Sequence, residues 1–425
     1  MVSDAGVPEV VTAIQVNQKE ITGLFEGTNV FAALLLAITF QWNFEGGSLG
    51  KVETVSESYY RCAVNGESDH EGRNRQATWY YFRIDGGMRR QLTIDLVDLV
   101  GEYNYQPGTH GVTKDTRPVY SYDGKIWKFF DDVEWNEAAT NLRIRFTPEH
   151  QSVWIAHIPP YTNRDLANLL RDLQGHPYLQ KESIGKSVGG RDILLLTVTN
   201  PAIPENRKRV IWLMARQHAW EAGTSWVVEG ALRYLLSSEA GAARLRDECI
   251  FKVNPMADPD GVARGGVRYN ANGYDLNRNW DIIDPKLMPE IYALRRTLWD
   301  WVDSGHQIDL FVTLHNQEIE DLIEGLIGEG GIRFKELAER LSTQLKSKTT
   351  FYSPTGLSDS GLDTTSGLKG RMTVDQALLR DRRIPAFLLE LSVEQIPALG
   401  HPPTIPDRLE FGAGLVQAMA SVVLP

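Results

Sequence analysis

His218 and Glu221 stand three residues apart in His218-Ala219-Trp220-Glu221, and His315 lies far down the chain. An imidazole and a carboxylate at that spacing, near a strand-to-helix junction, can aim at one spot. Two histidines and one carboxylate with a fourth position open form a catalytic zinc set, whereas a structural zinc more often takes four protein ligands. Imidazole suits Zn2+, and water on such an ion has its pKa brought down to about 7. Spacing alone leaves a plainer reading open. The chain has nine histidines, so His218 and Glu221 can be a surface hydrogen-bonded pair and His315 a core histidine satisfied by backbone. The two cysteines, Cys62 and Cys249, make no disulfide framework and no Cys-based zinc site. A reducing cytoplasm fits, and any metal must use His and carboxylate.

The elements around these residues read as strands and helices in alternation. Residues 193–198, 210–214, 250–253, 308–314 and 386–389 are continuous apolar runs, the pattern of strands covered on both faces. Between them lie helices such as 226–236, where Val227, Val228, Ala231, Leu232, Leu235 and Leu236 form one stripe. This alternation predicts an α/β domain with a largely parallel sheet. His218 and Asp258 follow two of the strands, and His315 and Glu390 end two more. In open α/β sheets ligands bind outside the carboxyl ends of the strands, so four polar residues share the edge where a site belongs. Thr224 or Ser225, next to Gly223, offers helix-start chemistry.

Residues from about 30 to 158 differ. Short aromatic and β-branched runs (79–84, 91–97, 141–146, 152–158) are broken by turns such as Asp85-Gly86-Gly87 and Asp123-Gly124, the pattern of a β-sandwich. The change falls at Pro159-Pro160, after which 165–173 carries Leu166, Leu169, Leu170 and Leu173 at helical spacing. We therefore expect a smaller all-β sandwich domain, 1–158, followed by an α/β domain, 159–425. A chain of 425 residues suits two domains. Its net charge of −11, with no Lys/Arg stripe, argues against nucleic acid or an anionic membrane as partner. The apolar run 30–38 is about half the ~20 residues of a spanning helix. With no basic region directly before it, it reads as a buried strand or short helix rather than a signal peptide.

Two other motifs fail on context. Gly185-Lys186-Ser187-Val188-Gly189 has the spacing of a serine nucleophile elbow, which needs a strand before and a helix after. Here a helix and loop precede and a strand follows, which predicts a turn. His70-Glu71 has Asn74 where a zincin's second histidine would stand.

The run Arg268-Tyr269-Asn270-Ala271-Asn272-Gly273-Tyr274-Asp275-Leu276-Asn277-Arg278-Asn279-Trp280 resembles the zinc metallocarboxypeptidases, whose pattern is Arg-x-Asn-x-x-Gly-x-Asp-Leu-Asn-Arg-Asn-Trp/Phe. Asp258-Pro259-Asp260-Gly261 is similar to their Asn-Pro-Asp-Gly, and Phe387-Leu388-Leu389-Glu390-Leu391-Ser392 to their Phe-x-Glu-Leu strand. The likeness covers residues ~160–425. A β-sandwich in front, joined through Pro159-Pro160-Tyr161-Thr162, looks like the cytosolic carboxypeptidase subfamily, whose members remove glutamates.

The resemblance implies a carboxypeptidase-like fold, a mixed, mostly parallel sheet flanked by helices, and one zinc ion on His218, Glu221 and His315. It implies that Asp275 orients a ligand imidazole and that Asn277 and Arg278 hold the terminal carboxylate of a peptide or protein substrate. Arg268 would polarise the scissile carbonyl, and Glu390 would act as general base and acid on the water. In the side-chain pocket, Lys369 or Arg371 would favour an acidic terminal residue and Asp375 a basic one; we lean to the acidic reading and to Arg371. The chain departs from the pattern in three places, one of them Thr313, where relatives commonly carry an Asp two residues before the histidine. Trp220 replaces a glycine beside the metal, and residues 367–385 lack the tyrosine of digestive members, Tyr352 being a poor substitute. The rival readings are an aspartoacylase-like amidohydrolase of N-acyl amino acids and a zinc-binding relative without catalysis.

Overall fold

The computed structural model describes residues 38–108, 111–361 and 369–425, so the expectation for 30–38 lies outside the described residues except at Ile38. The apolar runs of the second half become one eight-stranded sheet. Its strands are β1 (Leu179–Lys186), β2 (Asp192–Val198), β3 (Arg209–Ala215), β4 (Cys249–Asn254), β5 (Leu310–Gln317), β6 (Leu322–Gly325), β7 (Leu357–Asp359) and β8 (Ala386–Ser392), in the order β1-β2-β4-β3-β5-β8-β6-β7. The four central strands are parallel. β1, β2 and β6 run antiparallel to their inner neighbours, so the sheet is mixed.

Both faces of this sheet are dry. Along β3, Ile211, Leu213 and Ala215 enter one buried cluster, and Val210, Trp212 and Met214 the other. The first is closed by helices α2 (Ala222–Leu235), α6 (Ile332–Lys348) and α8 (Ile405–Val423), the second by α5 (Pro289–Asp303) and α7 (Val374–Arg382). Two glycines let α2 and α8 touch. A Cβ on Gly230 would sit 2.0 Å from the carbonyl oxygen of Leu409, and one on Gly412 2.0 Å from that of Val227. Among the described residues the remaining α-helices are α1 (Asn163–Asp172), α3 (Ala240–Glu248) and α4 (Pro259–Arg264).

Before α1 the described chain holds no helix. Two five-stranded sheets face each other, one containing Tyr81–Asp85 and Ser152–Ala156, the other Leu92–Val97 and Asn141–Phe146. Phe82, Ile84, Leu92, Ile94, Leu142, Ile144 and Val153 fill the space between, as alternation on a sandwich strand requires. A third, four-stranded sheet contains Glu67–Ser68 and Arg75–Gln76, which the sequence reading did not anticipate.

One buried cluster joins the two halves. Trp79, Tyr81, Ala156 and Ile158 pack with Ala219, Trp220, Met256 and Val267, so the sandwich lies directly against the His218 loop. One expectation needs correction: Gly185 and Lys186 end strand β1, not a loop, and Ser187–Gly190 is the turn of a β1–β2 hairpin. A strand, not a helix, still follows, so Ser187 sits in no nucleophile elbow. Cys62 and Cys249 are free and buried in separate sheets.

Candidate metal centre and active site

His218 lies three residues past β3. The chain leaves the strand through Arg216, at φ +63°, whose buried guanidinium donates to the Ala219 carbonyl (2.9 Å) and Ser225 Oγ (3.0 Å) and so holds the loop from inside. Glu221 is the N-cap residue of α2, without a side-chain capping bond. Thr224 does not cap in the expected sense: its hydroxyl donates to the Glu221 carbonyl (2.8 Å). With its side chain released from capping, Glu221 turns to the histidines.

His315 is on β5, and its Nδ1 lies 3.2 Å from Nδ1 of His218 and 3.2 Å from Glu221 Oε2. His218 Nδ1 is 2.7 Å from Glu221 Oε1. All three side chains are buried. The outer nitrogens fix the tautomers. His218 Nε2 meets the Asp275 carboxylate at 3.1 Å, and a carboxylate only accepts, so the proton is on Nε2. His315 Nε2 meets Gln217 Oε1 at 3.2 Å, where the Gln217 amide is oriented by donating to the Leu276 carbonyl (2.6 Å). The two Nδ1 atoms therefore face each other and a carboxylate. The cluster needs a positive charge between them, either a metal ion or a proton on an imidazole.

The geometry fits one divalent ion. Ligands at ~2.0–2.1 Å in tetrahedral array lie about 3.3 Å from each other, close to the separations found. Among the described residues these three form the group able to hold a metal. Burial works against the Glu221 charge, but the two histidines outweigh it and bring its pKa to about 2, so it is an anionic donor.

Asp275 is the junction of the site. Oδ1 faces His218 and also accepts from the Asn277 amide (2.8 Å), while Oδ2 accepts from Arg268 Nε (2.7 Å). Burial opposes its charge, yet Arg268 and His218 hold its carboxyl well below the usual range. Arg268 lines both of two adjoining cavities. One, about 250 Å³, is also lined by Glu221, Glu390, Trp220, Asn316 and Glu318; the other, about 590 Å³, by Arg278, Lys369 and Arg371. Glu390 Oε2 has no hydrogen-bond partner, and burial, with Glu221 and Glu324 adding to it, pushes the carboxyl well above its ordinary pKa against the pull of Arg268.

Asn277 and Arg278 follow Asp275. Asn277 Oδ1 accepts from the Val374 amide (3.1 Å), the first residue of α7, and Arg278 Nη1 donates to the Asn277 carbonyl (2.8 Å). Arg278 Nε is buried without a partner. Asn279 and Trp280 donate backbone bonds to Gly370 and Met372 (both 3.1 Å), which sets Arg371 at the wall of the larger cavity. Asp375 and Tyr352 line neither cavity. Asp258 is a correction: its Oδ1 caps α4 through the Gly261 amide (2.8 Å), and it belongs to the helix start rather than to the site.

Sequence reasoning missed several residues. Glu318 lies three positions past His315, in the wall of the smaller cavity, its pKa raised by burial to about 8. The β-rich half supplies Asp69, His70, Arg73 and Asn74 to the larger cavity and Arg75, Gln76 and Thr78 to the smaller. His70 stacks on Tyr274 at 4.0 Å between ring centroids. No local pattern marks these residues, because only tertiary packing brings them here.

Residues 166–319 match a family model described as zinc carboxypeptidase, and 40–158 one described as cytosolic carboxypeptidase N-terminal domain. Cytosolic carboxypeptidase 1 of Gallus gallus is 29% identical over 297 residues, 61% of this chain and 24% of that protein. Cytosolic carboxypeptidase 2 of Homo sapiens is 29% identical over 281 residues, 61% of this chain and 31% of that protein. The chain thus spans about a quarter to a third of the length of these curated relatives. A metallo-carboxypeptidase from Burkholderia cenocepacia has the same fold, with TM-score 0.78 over 91% of this chain and 99% of that one, at 22% identity.

Proposed function

Because the chain belongs to the zinc carboxypeptidase family, carrying both its catalytic and its cytosolic-type N-terminal models, we propose that it hydrolyses the C-terminal peptide bond, or a glutamyl side-chain-linked bond, of peptides or proteins in the cytoplasm. The observation that carries this reading is the pair of Nδ1 atoms facing each other 3.2 Å apart beside the Glu221 carboxylate, with Glu390, whose Oε2 has no hydrogen-bond partner, in the adjoining cavity wall. His218, Glu221 and His315 would hold one Zn2+. When bound, the ion supplies Lewis acidity and makes water a nucleophile near neutral pH.

The chain's own residues do the rest. Arg278, with the Asn277 amide group whose oxygen is already engaged, binds the substrate's terminal carboxylate; a guanidinium offers paired donors to an anion that internal peptides lack. Arg371, beside Lys369, favours an acidic terminal side chain in the larger cavity. Arg268 donates to the scissile carbonyl oxygen as negative charge develops there. Its Nε is tethered to Asp275, so the head is oriented before substrate arrives. Glu390 takes the proton of the attacking water and returns it to the amine as the carbon–nitrogen bond breaks. A carboxyl raised by burial can do both.

The test is a C-terminal residue scan. Purified protein with its metal content measured is incubated with peptides differing only in the last residue, and with small N-acyl amino acids. Single-residue trimming that is fastest for acidic ends supports the reading. Deacylation of the small substrates without trimming replaces it with an amidohydrolase, and zinc binding with neither reaction leaves a binding protein.

A further inference from the structure

Glu67 lies on a two-residue strand of the β-rich half, paired with Arg75–Gln76, two hundred positions before the segment it holds. Its Oε2 accepts from three consecutive backbone amides: Val267 (2.8 Å), Arg268 (2.6 Å) and Tyr269 (3.0 Å). Its other oxygen pairs with Arg264, whose guanidinium also donates to the Tyr269 and Asn270 carbonyls. The Glu67 side chain is only 12% exposed. Successive amides converging on one oxygen form an anion nest, and charge-assisted bonds are about twice as strong as neutral ones.

Val267 and Arg268 lie in no ladder, and Tyr269 makes an isolated bridge with Asp275 while its own amide turns to Glu67. Arg268 is thus held at both ends. Glu67 fixes its backbone, and Asp275 fixes its head through Nε at 2.7 Å. Asp275 in turn meets His218 at 3.1 Å. One carboxylate from the β-rich half is therefore three contacts away from His218, through Arg268 and Asp275.

We infer that Glu67 is a positioning residue: the N-terminal β-rich half aims Arg268 at the scissile carbonyl and is in that sense part of the active site. This rests on the role proposed for Arg268. A misplacement of about 1 Å at a reacting group can cost roughly 100-fold in rate.

The experiment compares five variants of the full chain with the parent, reading zinc content, kcat and KM on one trimmed peptide. Glu67→Ala is expected to lower kcat about 10- to 100-fold with KM within about twofold and zinc unchanged. Glu67→Gln, which retains an acceptor oxygen, should recover most of that loss. Glu67→Asp keeps the charge but is one methylene short, and should lose kcat even if the alanine variant does not fold. Glu45→Ala removes a different bond across the same junction, to the Asn163 amide at 3.0 Å, and should leave kcat unchanged. If Arg268→Ala is inactive while both Glu67→Ala and Glu67→Asp match the parent, the inference fails and the function stands. An equal loss in Glu45→Ala also overturns it, since any loosening of the junction would then suffice. If Arg268→Ala itself is fully active, the role of Arg268 fails first.

Discussion

His315 and Glu390 are register partners on the adjacent parallel strands β5 and β8. Side chains at paired positions leave the sheet on the same face, and neighbouring strands lie about 4.8 Å apart. The backbone ladder therefore sets the His315 imidazole and the Glu390 carboxylate of the smaller cavity side by side. Leu314 and Leu389, one residue earlier on each strand, point to the opposite face, into the apolar cluster under α2 and α8. A one-residue slip of β8 would exchange Glu390 for a leucine, so the buried pattern Phe387-Leu388-Leu389 also guards the chemistry.

Replacing Glu390 by Gln keeps the shape and removes only proton transfer. Zinc content should match the parent while kcat falls about 10²- to 10⁴-fold. Metal analysis beside steady-state rates checks this, and turnover close to the parent's would remove Glu390 from its role.

Amidating a peptide's C-terminus should abolish trimming, because the Arg278 guanidinium then has no anion to bind. Arg278→Ala should raise KM for the free acid, because the anion then has no guanidinium to meet. Equal rates on free acid and amide in the parent would mean that the carboxylate is not the anchor.

Asp275→Asn weakens the contact to His218 Nε2 and discharges the partner of Arg268. Groups that orient a ligand imidazole typically contribute about 10- to 100-fold in metal affinity, so the variant should lose zinc to a competing chelator at correspondingly lower chelator concentration. Unchanged metal retention would leave Asp275 with Arg268 alone.

Asp258 gives a pH prediction independent of the metal. Burial raises its carboxyl to about 8, against about 3.9 in an unfolded chain. A raised acid pKa means that the folded state holds the proton more tightly, so this contribution to stability is full below about pH 4 and is lost as pH rises toward 8. Asp258→Asn keeps an oxygen for the Gly261 amide and cannot ionise. Thermal melts should find it more stable than the parent at pH 9, on the order of 2–5 kcal/mol, with the gap closing toward pH 4. A gap that does not change with pH would show that Asp258 does not titrate in this range.

The sequence made some features of this molecule plain and hid others. Strands buried on both faces announce themselves by unbroken apolar runs, which is why β3, β4, β5 and β8 were legible within a few residues. Edge strands do not: β1 (Leu179–Lys186) is mostly exposed and polar, so it read as loop. His218, Glu221 and His315 gained meaning from their places at strand ends, and Asp258, at the same edge, turned out to be a cap because a Pro follows it at the first helical position. Glu67 and His70 were beyond reach. Their function depends on two separately folded sheets meeting, and no spacing along the chain records that meeting.

The cluster joining Trp79 and Ile158 to Trp220 and Val267 bears on how such a chain can be taken apart. Cutting it at Pro159 to isolate the larger sheet would uncover that apolar seam, open one wall of each cavity and release the loop that carries Arg268. The excised piece would keep His218, Glu221 and His315 and lose the cavity walls that the β-rich half supplies. For protein engineering, the exchangeable module is the whole chain from the sandwich onward, and grafts that swap the β-rich half must carry its carboxylate at position 67 with them.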